Sequence, residues 1–178
     1  VCTTGTSDIL RPMKLIFMID ASDSMTANDP NGTRAKAVLD VFDALPIDPN
    51  VFVGVMLFAG NPLWITRFQG VEGLVSLTDM TDPARQSLRA QLTTFSTSTN
   101  LNTDVTDFVK ALDLAISHIG SDLDKYERNG EAAIASRSQY SVIFLSDGHP
   151  TLPDQDPQIN ARVDSLKALA QRAGAVKF

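Results

Sequence analysis

Asp20, Ser22 and Ser24 stand in the run Leu15-Ile16-Phe17-Met18-Ile19-Asp20-Ala21-Ser22-Asp23-Ser24-Met25, so three oxygen donors follow directly on a stretch of apolar residues. Carboxylate and hydroxyl oxygens with no thiol or imidazole beside them are hard ligands. They suit Mg²⁺, Ca²⁺ or Mn²⁺ rather than zinc. Ser and Asp are also the ordinary vocabulary of strand-to-helix turns and N-caps, so these residues alone leave cation binding and turn chemistry both open. Two further segments bear on the choice. Tyr140-Ser141-Val142-Ile143-Phe144-Leu145-Ser146-Asp147-Gly148-His149-Pro150 is a second apolar run that ends in a carboxylate. In Val105-Thr106-Asp107-Phe108-Val109-Lys110-Ala111-Leu112-Asp113-Leu114-Ala115, a hydroxyl residue opens a pattern of helical spacing.

These donors need a frame that brings three loops to one point. The unbroken run after Arg11-Pro12 reads as a central strand of a parallel sheet buried on both faces. In open α/β sheets ligands bind in the crevice beyond the carboxyl ends of the strands, which is where Asp20 and Asp147 would stand. The 178 residues, 43% of them hydrophobic, suffice for one well-cored domain. We expect an N-terminal extension over 1–12 and the domain over 13–178.

Further elements follow from periodicity and punctuation. Residues 34–45 predict a helix with Ala35, Val38, Leu39, Phe42 and Leu45 on one face, and 51–59 a second buried strand. Residues 63–68 alternate well enough for an antiparallel edge strand, and 74–78 for a short extended piece. Helices are expected over 83–92, from Thr106 to about Ile119, and from Asp156 to Ala173, with a strand beginning at Ala175. The charged stretch 120–138, broken at Gly130, reads as an insertion with a solvated face. The expected class is α/β: a Rossmann-like, doubly wound, mostly parallel sheet with one antiparallel edge strand and helices on both faces.

Taken together, the three loops resemble the von Willebrand factor A family, also called integrin I-like, and its metal-ion-dependent adhesion site. The resemblance runs from about Lys14 onward and rests on Asp20-x-Ser22-x-Ser24, Thr106 and Asp147 in family order. It implies that Ser22 and Ser24 bind a cation directly and that Asp20 and Asp147 bind it directly or through water. The resemblance implies a second-loop Thr ligand five positions ahead of an Ala-Leu pair, a spacing that Thr106 has to Ala111-Leu112. Asp104-Val105 occupies the place where the family usually has Gly, and Thr103 and Thr99 are competitors. The resemblance implies Mg²⁺ as the cation, with Mn²⁺ or Ca²⁺ as alternatives, and a partner protein or surface ligand offering an acidic side chain. It also implies a fold that continues past Phe178, so the rest of the chain, or a larger assembly, is a further expected partner. More narrowly, the motifs are similar to those of bacterial surface lipoproteins of myxobacterial type.

Composition excludes several classes. A net charge of −6, with no Lys/Arg cluster interleaved with aromatics, argues against nucleic acid. The longest apolar stretch, 51–59, is far shorter than the ~20 residues of a membrane-spanning helix. Cys2, the only cysteine, is readable as lipid-modified, disulfide-bonded or free. Catalysis by His149 or His118 lacks a visible nucleophile and orienting partner, so the chain is expected not to be an enzyme. The leading expectation is a cation-dependent adhesion module at the cell surface, with outer-membrane anchoring as one route there. The alternative is a cytoplasmic scaffold or assembly subunit using the same site.

Overall fold

A computed structural model of the chain describes residues 11–68, 70–80, 82–94, 104–148, 150–153 and 155–178. Cys2, Thr99, Thr103 and His149 lie outside the described residues. In chain order the elements are β1 (Met13–Asp20), α1 (Ser24–Asn28), α2 (Thr33–Ala44), β2 (Val51–Phe58), β3 (Leu63–Trp64), β4 (Arg67–Phe68), β5 (Val71–Glu72) and β6 (Val75–Ser76). Then come α3 (Asp82–Thr94), α4 (Phe108–Arg128), α5 (Ala132–Ala135), β7 (Gln139–Leu145), α6 (Gln155–Leu169) and β8 (Ala175–Lys177).

The main sheet runs β3-β2-β1-β7-β8, with β2, β1, β7 and β8 mutually parallel. Strand β1 is central and buried on both sides, which is why it reads as continuous apolar sequence rather than as alternation. Its odd residues Leu15, Phe17 and Ile19 pack with Ala35, Val38 and Phe42 of α2 and with Leu88 and Leu92 of α3. Its even residues Ile16 and Met18 pack with Ala111, Leu112, Ala115, Ile119 and Leu123 of α4 and Leu166 of α6. The fold is therefore the expected doubly wound α/β sandwich.

The antiparallel edge is made of two short pieces instead of one strand. Met56 and Leu57 of β2 pair with Trp64 and Leu63, while Phe52 and Val53 pair with Ser76 and Val75. Thr66 causes the interruption. Its hydroxyl accepts the Val55 N–H at 3.0 Å and donates to the Gly73 carbonyl at 2.6 Å, replacing backbone partners at the point where the chain leaves the sheet. Strands β4 and β5 then form a separate two-stranded ribbon.

Within 120–138 the charged residues Lys125, Glu127, Arg128, Glu131 and Arg137 are exposed as expected, but the helix does not end near Ile119 and continues to Arg128. Helix α4 runs through Gly120 because Leu112, Ala115, Ile119 and Leu123, all nearly inaccessible, form one stripe against the sheet. Burial of Leu123 outweighs the ~1 kcal/mol that a mid-helix glycine costs.

His118 on α4 has a structural position. Its ring lies 4.6 Å from Trp64, its Nε2 accepts the Leu74 N–H at 3.3 Å, and Gly73 packs against it with φ +131°. A Cβ at Gly73 would overlap the imidazole as well as strain the backbone. Gly73→Ala is therefore expected to lower stability by at least ~2 kcal/mol, read as a shifted urea midpoint.

Candidate functional site

The carboxyl ends of β1 and β7 present the first and third loops side by side, because Ile19 and Leu145 are paired in the ladder. Asp20, completely buried, accepts the Ser22 N–H on Oδ1 at 2.9 Å and the Ser146 hydroxyl on Oδ2 at 2.6 Å. The Ser22 and Ser24 hydroxyl oxygens lie 3.1 Å apart. Ser24 in turn hydrogen-bonds the Asp147 carboxylate, which also accepts from Asn28 Nδ2 at 2.7 Å. Burial pushes the Asp147 carboxyl up, but the hydrogen bonds from Asn28 and Ser24 outweigh it and hold the group below its ordinary value. Asp20, Ser22, Ser24 and Asp147 thus belong to one hydrogen-bonded cluster.

The second loop, which carries Thr106, is anchored on both sides. Asp107 N–H donates to the Ala59 carbonyl at 3.0 Å, just past the end of β2, and Thr106 N–H donates to Thr151 Oγ1 at 2.8 Å, after β7. These two anchors stand on either flank of β1. Thr106 between them is buried, its described hydrogen bonds are made by its backbone, and no contact of its side chain with the Asp20 cluster is found among the described residues. Asp107 caps α4 by accepting the Lys110 N–H at 3.0 Å.

The first loop is fixed from behind by a pair that sequence reasoning missed. Asp29 accepts the N–H groups of Thr33 at 2.7 Å and Arg34 at 3.0 Å, so it caps α2 from four residues upstream in place of Gly32, whose φ is +62°. Burial opposes ionisation of Asp29, yet these N–H groups and the Arg34 guanidinium bring its pKa down to about 2. Arg34 pairs with Asp29 at 2.6 Å and donates from Nε to the Asp20 carbonyl at 2.7 Å. A carboxylate four residues before a helix start was the available signal. Beside this loop a cavity of about 640 Å³ opens, lined among others by Met25, Pro30, Arg34, Leu39 and Leu92.

A family model described as von Willebrand factor type A domain matches residues 15–149. The chain belongs to the von Willebrand factor type A domain family. Solved structures share this fold. A von Willebrand factor type A protein from Catenulispora acidiphila has a TM-score of 0.60 at 15% identity, over 88% of this chain and 31% of that one. The pilus adhesin SpaC from Lactobacillus rhamnosus GG, in an open conformation, has a TM-score of 0.52 at 17% identity, over 79% of this chain and 15% of that one. The human COPII-coat protein Sec24c has a TM-score of 0.51 at 13% identity, over 97% of this chain and 26% of that one. The chain spans less than a third of each of these structures. No curated protein matches it.

Within this von Willebrand factor type A domain, the donor chemistry fits a hard divalent cation. A fully buried carboxylate is costly unless it is paired, and Asp20 accepts the Ser22 N–H and the Ser146 hydroxyl in a cluster that also holds the Ser22 and Ser24 hydroxyls and the Asp147 carboxylate. Among the described residues no three carboxylate, imidazole or thiol groups gather, so any cation here would rest on two carboxylates and hydroxyls. Ser146 and Asn28, which orient Asp20 and Asp147, were not singled out as site residues from sequence. Ser146 lies within the quoted third-loop motif, but nothing in its type distinguishes it from a turn residue. Among the described residues no helix is long and apolar enough to cross a membrane.

Proposed function

We propose that this domain is a non-enzymatic, divalent-cation-dependent binding module that captures a carboxylate of a partner protein or surface ligand. The observation that carries the reading is the buried Asp20, tied by hydrogen bonds to Ser22 and Ser146 within the cluster that also holds Ser24 and Asp147. Ser22, Ser24, Asp20, Asp147 and Thr106 would hold Mg²⁺, with Mn²⁺ or Ca²⁺ as alternatives. The cation would supply an electrophilic centre for an acidic side chain. Hydroxyl donors are neutral and only two carboxylates contribute, so the ligand set leaves the cation attractive to a third.

Family membership supports an interaction role, and the pilus adhesin that shares the fold makes adhesion at a cell surface the setting we favour. A non-enzymatic reading agrees with the position of His118, which is wedged between Trp64 and Leu74 away from the cluster. Calorimetric titration with Mg²⁺, Mn²⁺ and Ca²⁺ tests the site. The chain is expected to bind at one site, and a Ser22→Ala, Ser24→Ala double variant to lose about tenfold or more in affinity. A folded wild-type chain that takes up none of the three ions would sink the proposal.

A further inference from the structure

The segment from Asp147 to Gln155 does more than carry the third-loop carboxylate. Thr151 and Thr106 form a two-way pair: Thr106 N–H donates to Thr151 Oγ1 at 2.8 Å, and Thr151 N–H donates to the Thr106 carbonyl at 3.3 Å. Four residues on, Gln155 opens α6 and donates from Nε2 to Asp107 Oδ1 at 3.0 Å. Gln155 is almost completely buried, and its Oε1 has no hydrogen-bond partner among the described residues. An amide with an unsatisfied buried oxygen is a poor choice for packing alone, since an apolar side chain of similar length would avoid the penalty. What the amide adds is the contact to Asp107.

We infer that Thr151 and Gln155 are positioning residues that clamp Thr106 and Asp107 from the β7–α6 segment, fixing the second-loop ligand relative to Asp147 of the third loop. This inference rests on the cation-binding reading above. Asp107 is gripped from three directions: its N–H by Ala59, and its carboxylate by the Lys110 N–H and by Gln155. The Arg162–Asp113 ion pair at 2.9 Å joins α6 to α4 about two turns further along, and Leu166 of α6 is buried in the same apolar cluster as Leu112 and Ala115 of α4. Cation affinity should therefore depend on side chains in α6 and its leading loop that do not themselves touch the ion.

The test uses Mg²⁺ and Mn²⁺ alone as probes, by calorimetry on the whole chain, with urea unfolding in EDTA as a separate readout. Gln155→Met removes the donor and the orphan oxygen at near-constant volume. It is expected to weaken cation binding about tenfold without lowering metal-free stability, whereas a purely structural glutamine would show the reverse. Thr151→Val is expected to lose about tenfold and Thr151→Ser to restore it. In a Thr106→Ala background neither change should cause further loss, because the clamp acts through that residue. Unaltered affinity in Gln155→Met and Thr151→Val, or equal losses with and without Thr106, would overturn the clamp while leaving the cation site standing. A wild-type chain that binds neither ion overturns the cation reading itself, and the clamp with it.

Discussion

Asp20→Ala is expected to abolish cation binding, and with it any carboxylate-dependent capture of a partner, while leaving the metal-free fold close to wild type. Asp20 is completely buried at the end of the central strand, where an unneutralised charge is costly and a bound cation gains most from it. Replacing it removes that charge but also orphans the Ser22 N–H and the Ser146 hydroxyl. The two effects oppose each other, so metal-free stability should change by only ~1 kcal/mol in either direction. The wild-type chain, by contrast, should gain about 2.7 kcal/mol at a cation concentration one hundred times the dissociation constant. Thermal unfolding with Mg²⁺ and with EDTA separates these terms: a large shift in the wild type and none in Asp20→Ala. An equal Mg²⁺-dependent shift in the variant would mean that the ion binds elsewhere. Asp20→Asn keeps the volume and an acceptor oxygen, so a comparable loss there would assign the effect to charge.

The largest stability effect is expected at the opposite end of the same strand. Lys14, almost fully buried, pairs with Asp122 and lies over the rings of Tyr126, Tyr140 and Phe52 at 4.3, 5.1 and 5.2 Å from their centroids. Tyr140 donates its hydroxyl to Asp122 at 2.6 Å. Asp122→Ala strips both donors of their acceptor and leaves a buried ammonium, for which about 3–5 kcal/mol is the expected cost. Lys14→Met should cost much less, because Asp122 is partly solvent-exposed and keeps the Tyr140 hydroxyl. The asymmetry, measured by urea unfolding of the two variants, separates a paired buried charge from simple packing. Equal losses would refute it.

The same cluster sets an alkaline limit. Burial, reinforced by the negative charges of Asp122 and Glu131, pushes the Tyr126 phenol up to about 12, and burial with Asp122 also raises Tyr140. The folded chain therefore keeps protons that the unfolded chain releases above its ordinary tyrosine pKa of 10. The stabilisation is full below pH 10 and is lost as pH climbs from 10 toward 12. Lys14 runs the other way: burial lowers its pKa, only partly offset by Asp122, so its contribution grows as pH rises toward 10.5. Tyr126→Phe should flatten the decline between pH 10 and 12 without removing it. Urea midpoints across that range give the comparison, and an unchanged slope would contradict the assignment.

Much of this was legible because two physical signals are local. A strand buried on both faces must be continuously apolar, so β1 announced itself, and β7 was legible from its shorter apolar run Val142–Leu145; the loops that follow two parallel strands had to lie at one edge of the sheet. Helix α2 was legible from one apolar stripe, with bounds differing by one residue at each end. Where the reading failed, the deciding contact came from far along the chain. The 63–68 segment alternates like a full strand, but Thr66 spends its hydroxyl on Val55 and Gly73 and turns the chain away. The charged stretch after Ile119 keeps a solvated face, but the helix runs on through it because Asp122 meets Lys14 and Leu123 meets the sheet.

The sequence by itself determined the class of fold, the three loops that meet and the oxygen chemistry they offer, because residue type and short-range spacing suffice for those. Only the tertiary structure decided that Arg34 and Asp29 brace the first loop, that Ser146 grips Asp20, that Thr151 bonds Thr106 and that Gln155 bonds Asp107. The physical reason is that a hydrogen bond between residues such as Asp20 and Ser146, 126 positions apart, leaves no periodicity or composition in the chain, and exists only once the sheet has set β7 beside β1.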